Sequence, residues 1–205
     1  MLNCLIERGK GQFCLGYWRS SLADKFPPDS IYKSLFTHLF YHALVIDPIT
    51  DTIIISPTDE SWMKNFTPRG QNSTVKCFLS IEGDPNAFSI MVSTQDGRRT
   101  FIRSSNDMAK KYGFDGLKLY RKYPNTSQYL SNLSLLFKDW RDTFKLESSR
   151  YGNLLLYLSA IVYFEPIPPG NTTPYPVHDI NEHVDFISPV CYNYYWGGET
   201  TVTYI

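Results

Sequence analysis

The sequence predicts an α/β protein in which parallel strands alternate with covering helices. Short apolar runs of strand length alternate along the 205 residues with stretches whose apolar positions recur every three or four residues. Such alternation is typical of parallel sheets, because each return connection carries a helix. No low-complexity tract or linker interrupts the pattern, so residues 1–205 are predicted to form a single domain.

Six main strands are predicted in chain order. They are residues 13–18, 36–46, 74–81, 115–120, 154–164 and 184–192. The second is a long apolar run that stops before Asp47 and Pro48, as expected for a strand that is covered on both faces. A short β-branched segment at residues 52–56 adds a further extended stretch.

Three helices are predicted between these strands. The clearest spans residues 127–146, and its apolar face has members at steps of three and four: Tyr129, Leu130, Leu133, Leu136, Phe137, Trp140 and Phe144. A second helix runs through residues 101–112 and ends at Gly113, a residue typical of helix C-caps. A short third helix, residues 27–35, begins with two prolines, which suit a first helical turn.

The charge balance and the apolar content exclude two classes of partner. Twenty Lys and Arg residues offset twenty Asp and Glu residues, so no net basic charge favours nucleic acid. No run approaches the roughly 20 apolar residues of a membrane helix, so no membrane span is predicted. Apolar residues make up 42% of the chain and aromatic residues 16%, which indicates a globular protein rather than a disordered one.

Two features bear on the cellular compartment, and they conflict. The first ten residues contain no apolar signal-peptide core. Five N-x-Ser/Thr sequons nevertheless hint at a secreted ancestry, although such sequons also arise by chance: Asn65, Asn72, Asn125, Asn132 and Asn171. The conflict predicts a truncated or remodelled N-terminus and leaves the localisation open.

Cysteine and histidine spacing predicts no metal site. The cysteines are Cys4, Cys14, Cys77 and Cys191, and the histidines are His38, His42, His178 and His183. Two of the cysteines, Cys77 and Cys191, lie in apolar strand-like runs, so buried thiols are expected there and disulfides stay an alternative. No cofactor is predicted.

Residues 113–124 read GFDGLKLYRKYP and resemble the fourth-strand motif of glycoside hydrolase family 18, GFDGLDLDWEYP. Four other segments resemble the first, second, third and sixth strands of that family in the correct order: residues 16–18, 34–40, 76–83 and 185–195. Residues 175–177 are similar to the lead-in to the sixth strand of plant class V chitinases. The resemblance implies a (β/α)8 TIM barrel and, as substrates, chitin and related N-acetylglucosamine polymers.

The residues that perform catalysis in that family are replaced here. The family has Asp, Asp and Glu at alternate positions of the fourth strand, where this chain has Lys118, Tyr120 and Lys122. The family Glu protonates the leaving oxygen, the substrate's own N-acetyl group attacks, and the middle Asp steadies the cationic intermediate. A lysine cation about 4 Å away would repel that intermediate by roughly 4 kcal/mol at an effective dielectric constant of 20. No catalytic residue is therefore expected to be intact, and little or no hydrolase activity is predicted.

Other residues of the motifs are expected to keep structural or binding roles. Asp115, the first acidic residue of the motif, is predicted to be a structural hydrogen-bond acceptor. The candidate substrate-binding residues are Tyr17, Tyr123, Tyr192 and Asn193, because aromatic rings stack on sugars and an amide hydrogen-bonds them without charge. Ordinary core packing stays open for Tyr17 and Tyr192. The predicted partners are chitin or N-acetylglucosamine oligosaccharides, bound weakly.

The length predicts an incomplete barrel of about six β/α units, because a (β/α)8 domain typically needs roughly 250 residues. The first and sixth strands would then have unpaired edges. Pairing with another copy of the chain, imperfect closure and poor stability are the three expected consequences, of which we favour the last.

Two alternatives to an inactive, sugar-binding chitinase-like protein stay open. One is an active chitin hydrolase that uses Glu82 or Glu165 as an unusual acid. The other is a nonfunctional fragment or interaction module. Members of the family are mostly secreted or vacuolar.

Overall fold

The computed structural model describes residues 2–7, 11–67, 74–120, 126–152, 155–168 and 172–190. Within these residues the chain forms one sheet of eight strands. The strands are β1 (Leu2–Glu7), β2 (Gly11–Arg19), β3 (His38–Ile46), β4 (Ile53–Ile54), β5 (Lys76–Glu82), β6 (Gly116–Leu119), β7 (Tyr157–Tyr163) and β8 (Phe186–Val190). The six main strands predicted from the sequence are confirmed as β2, β3, β5, β6, β7 and β8, and each pairs in parallel with the next.

The parallel sheet is strongly curled. Strands β2 and β8 lie at opposite ends of the parallel order. Their side chains nevertheless meet on the concave side, where the ring centroids of Phe13 and Phe186 are 5.7 Å apart. A twisted sheet that closes on itself in this way brings alternate residues of every strand into a common interior. The described part of the fold is therefore a partial TIM barrel.

Five helices connect the strands of the described residues: α1 (Pro57–Phe66), α2 (Pro85–Ser93), α3 (Gln95–Tyr112), α4 (Ser127–Tyr151) and α5 (Val177–His183). The predicted apolar face of α4 is confirmed, since all seven of its residues are buried. Trp140 is fully buried at its centre, and its indole N–H donates to Asn106 Oδ1 at 3.1 Å. None of these helices is both long and apolar enough to cross a membrane.

Helices α1 and α2 were not predicted from the sequence, although their capping residues can be recognised in it. Each begins with a proline that follows a capping residue, at Ser56-Pro57 and Asp84-Pro85. The Ser56 side chain accepts the Asp59 amide hydrogen, and the Asp84 carboxylate accepts two amide hydrogens of the first turn of α2. Thr94 caps α3 in the same way, which is why that helix begins six residues before the predicted residue 101.

Two predictions about the N-terminal part are wrong. The predicted helix over residues 27–35 is two short 3-10 turns, residues 28–30 and 33–35, because Ile31 between them is extended with ψ 121°. The predicted free edge of the first main strand is also absent, because β1 pairs antiparallel with β2 along Leu2–Glu7. The self-association that we expected from that edge accordingly has no support.

The buried sequon at Asn132 favours the chance explanation for this position. Asn132 is 9% exposed on the packed face of α4, and its side-chain oxygen accepts from Gln128. A glycan attached there would have no room in the folded protein.

The two faces of the sheet differ in composition. On β6, Leu117 and Leu119 join the apolar core between the sheet and the helices. The intervening Lys118 and the following Tyr120 contact residues on the concave side. The period of two along a strand thus separates a helix-covered face from a concave face that carries the polar groups.

Candidate functional site

Lys118 lies at the centre of the concave face with no exposed surface. Its ammonium nitrogen donates to Tyr17 Oη and, at 2.7 Å, to Ser188 Oγ. The same nitrogen lies 4.3 Å from the ring centroid of Phe40 and 4.9 Å from that of Tyr17. Burial lowers the pKa of Lys118 well below its ordinary value, since removal of water disfavours the charged form.

Hydroxyl groups rather than carboxylates surround this lysine. Ser80 on β5 and Ser159 on β7 are its register neighbours, and both are fully buried. Neither Oγ atom has a hydrogen-bond partner among the described residues. In that part of the chain no carboxylate forms an ion pair with Lys118. The serine positions were missed at the sequence level, although a lone hydroxyl at an alternate position of an apolar strand is a signal for the concave face.

Tyr120 belongs to an aromatic group above Lys118. Its ring centroid is 4.5 Å from that of His42, and it meets the ring of Tyr17 edge-on at 6.3 Å. His42 Nε2 in turn lies 3.6 Å from Glu82 Oε2. Tyr120, which stands at the position of the family's middle Asp, thus contacts the rings of His42 and Tyr17. The carboxylate of Glu82 lies next to His42.

A cleft of about 740 Å³ opens onto these groups. On its concave side it is lined by Tyr17, His42, Tyr120, Ile161, Ser188 and Pro189. On the other side, the segment after β2 contributes large exposed apolar residues, among them Leu22, Phe26, Tyr32 and Leu35. The cleft therefore combines apolar walls with a few hydroxyl and ring groups, as small-molecule sites do.

Comparison with known proteins places the chain in a family. The model of "Glycosyl hydrolases family 18" matches residues 14–203. The chain belongs to glycosyl hydrolase family 18. Class V chitinase CHIT5a of Medicago truncatula is 32% identical in an alignment of 195 positions that covers 90% of this chain and 50% of that protein.

Solved structures of the family have the same fold. A class V chitinase from Nicotiana tobaccum matches with a TM-score of 0.81 and 33% identity, over 88% of this chain and 52% of that one. A mutant of the Nicotiana enzyme was crystallised in complex with NAG4. A chitinase-like agglutinin from Robinia pseudoacacia matches with a TM-score of 0.80 and 33% identity, over 88% and 55% of the two chains. This family-18 chain spans about half the length of the relatives that it matches.

Asp115 lies at the opposite end of β6 from the cleft. Its carboxylate accepts from Lys76 Nζ at 3.0 Å and from the Cys77 amide at 2.8 Å. These bonds connect the start of β6 to the start of β5, so the predicted structural role of Asp115 is confirmed. Cys77 itself is a buried free thiol, as predicted, and burial raises its pKa to about 12.

The other predicted site residues divide into two groups. Lys122, Tyr123, Tyr192 and Asn193 lie outside the described residues, as does Cys191. Glu165 is exposed in the segment after β7. In the described part of the chain no three His, Cys, Asp or Glu side chains are grouped as metal ligands would be.

Proposed function

We propose that this family-18 chain is a chitinase-like protein that binds N-acetylglucosamine oligosaccharides and does not hydrolyse them. The observation that carries the proposal is the buried amine of Lys118, which points into the concave face where the family motif has an aspartate. The relatives span about twice the length of this chain, so the activity of the whole protein is part of the proposal.

The electrostatics of the site argue against glycosidase chemistry in either protonation state of Lys118. A charged Lys118 would repel a cationic intermediate, and a neutral one would offer it no attraction. At the position of the family's middle Asp, Tyr120 presents a phenol ring that contacts His42 instead of a carboxylate. The sequence also has Lys122 at the family's acid position, and an amine with an ordinary pKa near 10.4 is a poor proton donor for a glycosidic oxygen.

The shape and the chemistry of the cleft support sugar binding. Tyr17 and Tyr120 present aromatic rings beside the cleft, and Ser188 contributes a hydroxyl. Rings of this kind stack on the apolar faces of pyranosides, while hydroxyl groups hydrogen-bond their polar edges. The NAG4 complex of the Nicotiana enzyme and the agglutinin from Robinia are consistent with a binding role for this fold.

Chitotetraose binding and reducing-end release, measured on the same preparation, test the proposal. We expect the thermal unfolding midpoint to rise with millimolar chitotetraose, because a ligand that binds only the native state raises apparent stability. We expect no release of reducing ends. Tyr120→Ala should remove the thermal shift, whereas Tyr151→Ala, at a ring that is 69% exposed at the end of α4, should keep it. A shift of equal size in both variants would contradict binding in this cleft.

One contact favours a second candidate function, a hydrolase with an unusual acid. Glu82 lies 3.6 Å from His42, which in turn contacts Tyr120 beside the cleft. If chitotetraose is cleaved, Glu82→Gln should abolish the release of reducing ends and Glu165→Gln should not. Absence of release in the unmodified chain would eliminate this candidate.

A further inference from the structure

We propose that Lys118 is a nucleophilic amine that forms an imine with the aldehyde group of a short hydroxyaldehyde or an open-chain sugar. The proposal uses the cleft described above but does not depend on binding of chitin oligosaccharides. It begins from Lys118, a fully buried amine with no carboxylate partner among the described residues.

The surroundings of Lys118 favour a neutral amine. The side chain has no exposed surface, its nitrogen donates to the Tyr17 and Ser188 hydroxyls, and no carboxylate of the described residues is paired with it. Burial also lowers its pKa well below the ordinary value. A buried lysine that loses its proton keeps a free lone pair, which is the property that imine-forming lysines require.

The amine does not itself line the cleft, but its two hydrogen-bond partners do. Tyr17 and Ser188 both line the cleft, and both accept hydrogen bonds from Lys118 Nζ. A small carbonyl compound that displaces these two contacts reaches the nitrogen from the open side. The proposal therefore favours compounds of two or three carbons, or the terminal aldehyde of a sugar chain, over bulky ketones.

The reaction balances without an oxidant or a reductant. The nitrogen lone pair attacks the carbonyl carbon, and the carbonyl oxygen takes a proton from the Tyr17 or Ser188 hydroxyl. The nitrogen returns a proton to that hydroxyl, which gives a neutral carbinolamine. The hydroxyl group then leaves as water, with the remaining proton of the nitrogen transferred to it through the Tyr17 or Ser188 hydroxyl, and the nitrogen lone pair forms the C=N bond. One aldehyde and one amine thus yield one neutral imine and one water.

Two more hydroxyl groups lie beside the amine on the neighbouring strands. Ser80 and Ser159 flank Lys118 on the neighbouring strands, fully buried and without a hydrogen-bond partner among the described residues. Buried hydroxyls in native proteins are normally satisfied. The hydroxyl group of a hydroxyaldehyde, or the water that is released, would give them partners, and this is why we specify a hydroxylated substrate.

Lys76 provides a matched comparison within the same chain. Its ammonium group is paired with Asp115 at 3.0 Å, and its side chain is 40% exposed. The hydrogen bond that Lys76 donates to Asp115 raises the pKa of Lys76. Lys76 is thus more accessible than Lys118. We nevertheless expect Lys118 to be the more reactive amine.

Reductive trapping tests the proposal on the full chain. The protein is incubated near neutral pH with glycolaldehyde and cyanoborohydride, and each lysine adduct is followed by peptide mass spectrometry. We expect Lys118 to be labelled roughly tenfold or more faster than Lys76, because each pKa unit below that of an exposed lysine raises the neutral fraction about tenfold. In concentrated urea the preference should vanish.

Labelling of Lys118 at or below the rate of Lys76 in the native chain would overturn the proposal. Because this readout uses the unmodified protein, it does not depend on the folding of a variant. Lys118→Met should lose the fast adduct, and Lys76→Met should keep it. Fast labelling without a chitotetraose thermal shift would refute the proposed binding function alone, and the reverse result would refute the imine alone.

Discussion

The two faces of the parallel sheet show opposite ways of burying side chains. The helix-covered face of β6 buries Leu117 and Leu119 in one large apolar core. The concave face of the same strand buries Lys118 against hydroxyls and rings. Two serine hydroxyls beside it have no hydrogen-bond partner in the described part of the chain. Stability therefore resides in the helix-covered face, while the concave face carries groups that are costly to bury and are candidates for function.

The largest expected effect comes from a break in the helix-covered face. Trp140→Ala removes a fully buried indole and leaves the Asn106 side-chain oxygen without its donor. We expect the free energy of unfolding to fall by about 3–5 kcal/mol, measured by urea denaturation. Leu135→Ala, at a position 45% exposed on the same helix, is the control and should change it by less than about 0.5 kcal/mol. Equal losses in the two variants would mean that α4 does not pack as described.

The second effect is an increase in the free energy of unfolding with pH, and it comes from Lys118. The folded-state pKa of Lys118 is depressed, so between that pKa and the ordinary value of the unfolded chain only the unfolded state holds the proton. Unfolding of the unmodified chain then becomes less favourable as pH rises, by up to about 1.4 kcal/mol per pH unit. Lys118→Met should lack this rise.

Urea denaturation of the two chains between about pH 8 and pH 10, near the reference lysine pKa, measures the difference. The free energy of unfolding of the unmodified chain, minus that of Lys118→Met, should rise steadily with pH. Lys76→Met keeps Lys118, and its free energy of unfolding should rise with pH as that of the unmodified chain does, because the pKa of Lys76 itself is raised rather than lowered. Parallel curves for Lys118→Met and the unmodified chain would mean that the amine is hydrated and charged in the folded protein.

The third effect tests the end of β6 that keeps the family's aspartate. Asp115→Ala removes the acceptor of the Cys77 amide and the partner of Lys76. We expect a loss of about 1–3 kcal/mol in the free energy of unfolding, because a buried N–H is left unsatisfied. Asp115→Asn keeps a side-chain oxygen and should lose less. Asp96→Ala, at a carboxylate that is 83% exposed, should have an effect of less than about 0.5 kcal/mol.

The alternation of apolar runs was sufficient to predict the six parallel strands and the packed face of α4. The motif at residues 113–124 was sufficient to place Lys118 and Tyr120 on one face, because a strand has a period of two. The partners of Lys118 were not predictable in this way. Tyr17 and Ser188 lie 101 and 70 residues away in the chain, and only the curl of the sheet brings them to the amine.

The smallest of the expected effects concerns His38, also on the concave face. Burial lowers its pKa to about 4, and the rings of Phe13, Phe78 and Phe186 lie 4.8–5.6 Å away. The carboxylate of Asp115 acts in the opposite direction, and Lys76 and Lys118 lower the pKa further. Because the folded-state pKa lies below the ordinary value of 6.5, the neutral ring contributes stability above that pH and loses it as pH falls towards 4.

His38→Gln should therefore flatten the fall in stability between pH 6.5 and pH 4, as measured by urea denaturation at several pH values. The carboxylates that titrate in the same window are present in both chains, so the difference between the two curves isolates the ring. It should remain below the roughly 1.4 kcal/mol per pH unit of a fully coupled proton, because solvent screens a partly exposed group. If the free energy of unfolding of His38→Gln falls as steeply with pH as that of the unmodified chain, the His38 ring is in water. The part of the concave face around His38 would then be hydrated rather than apolar.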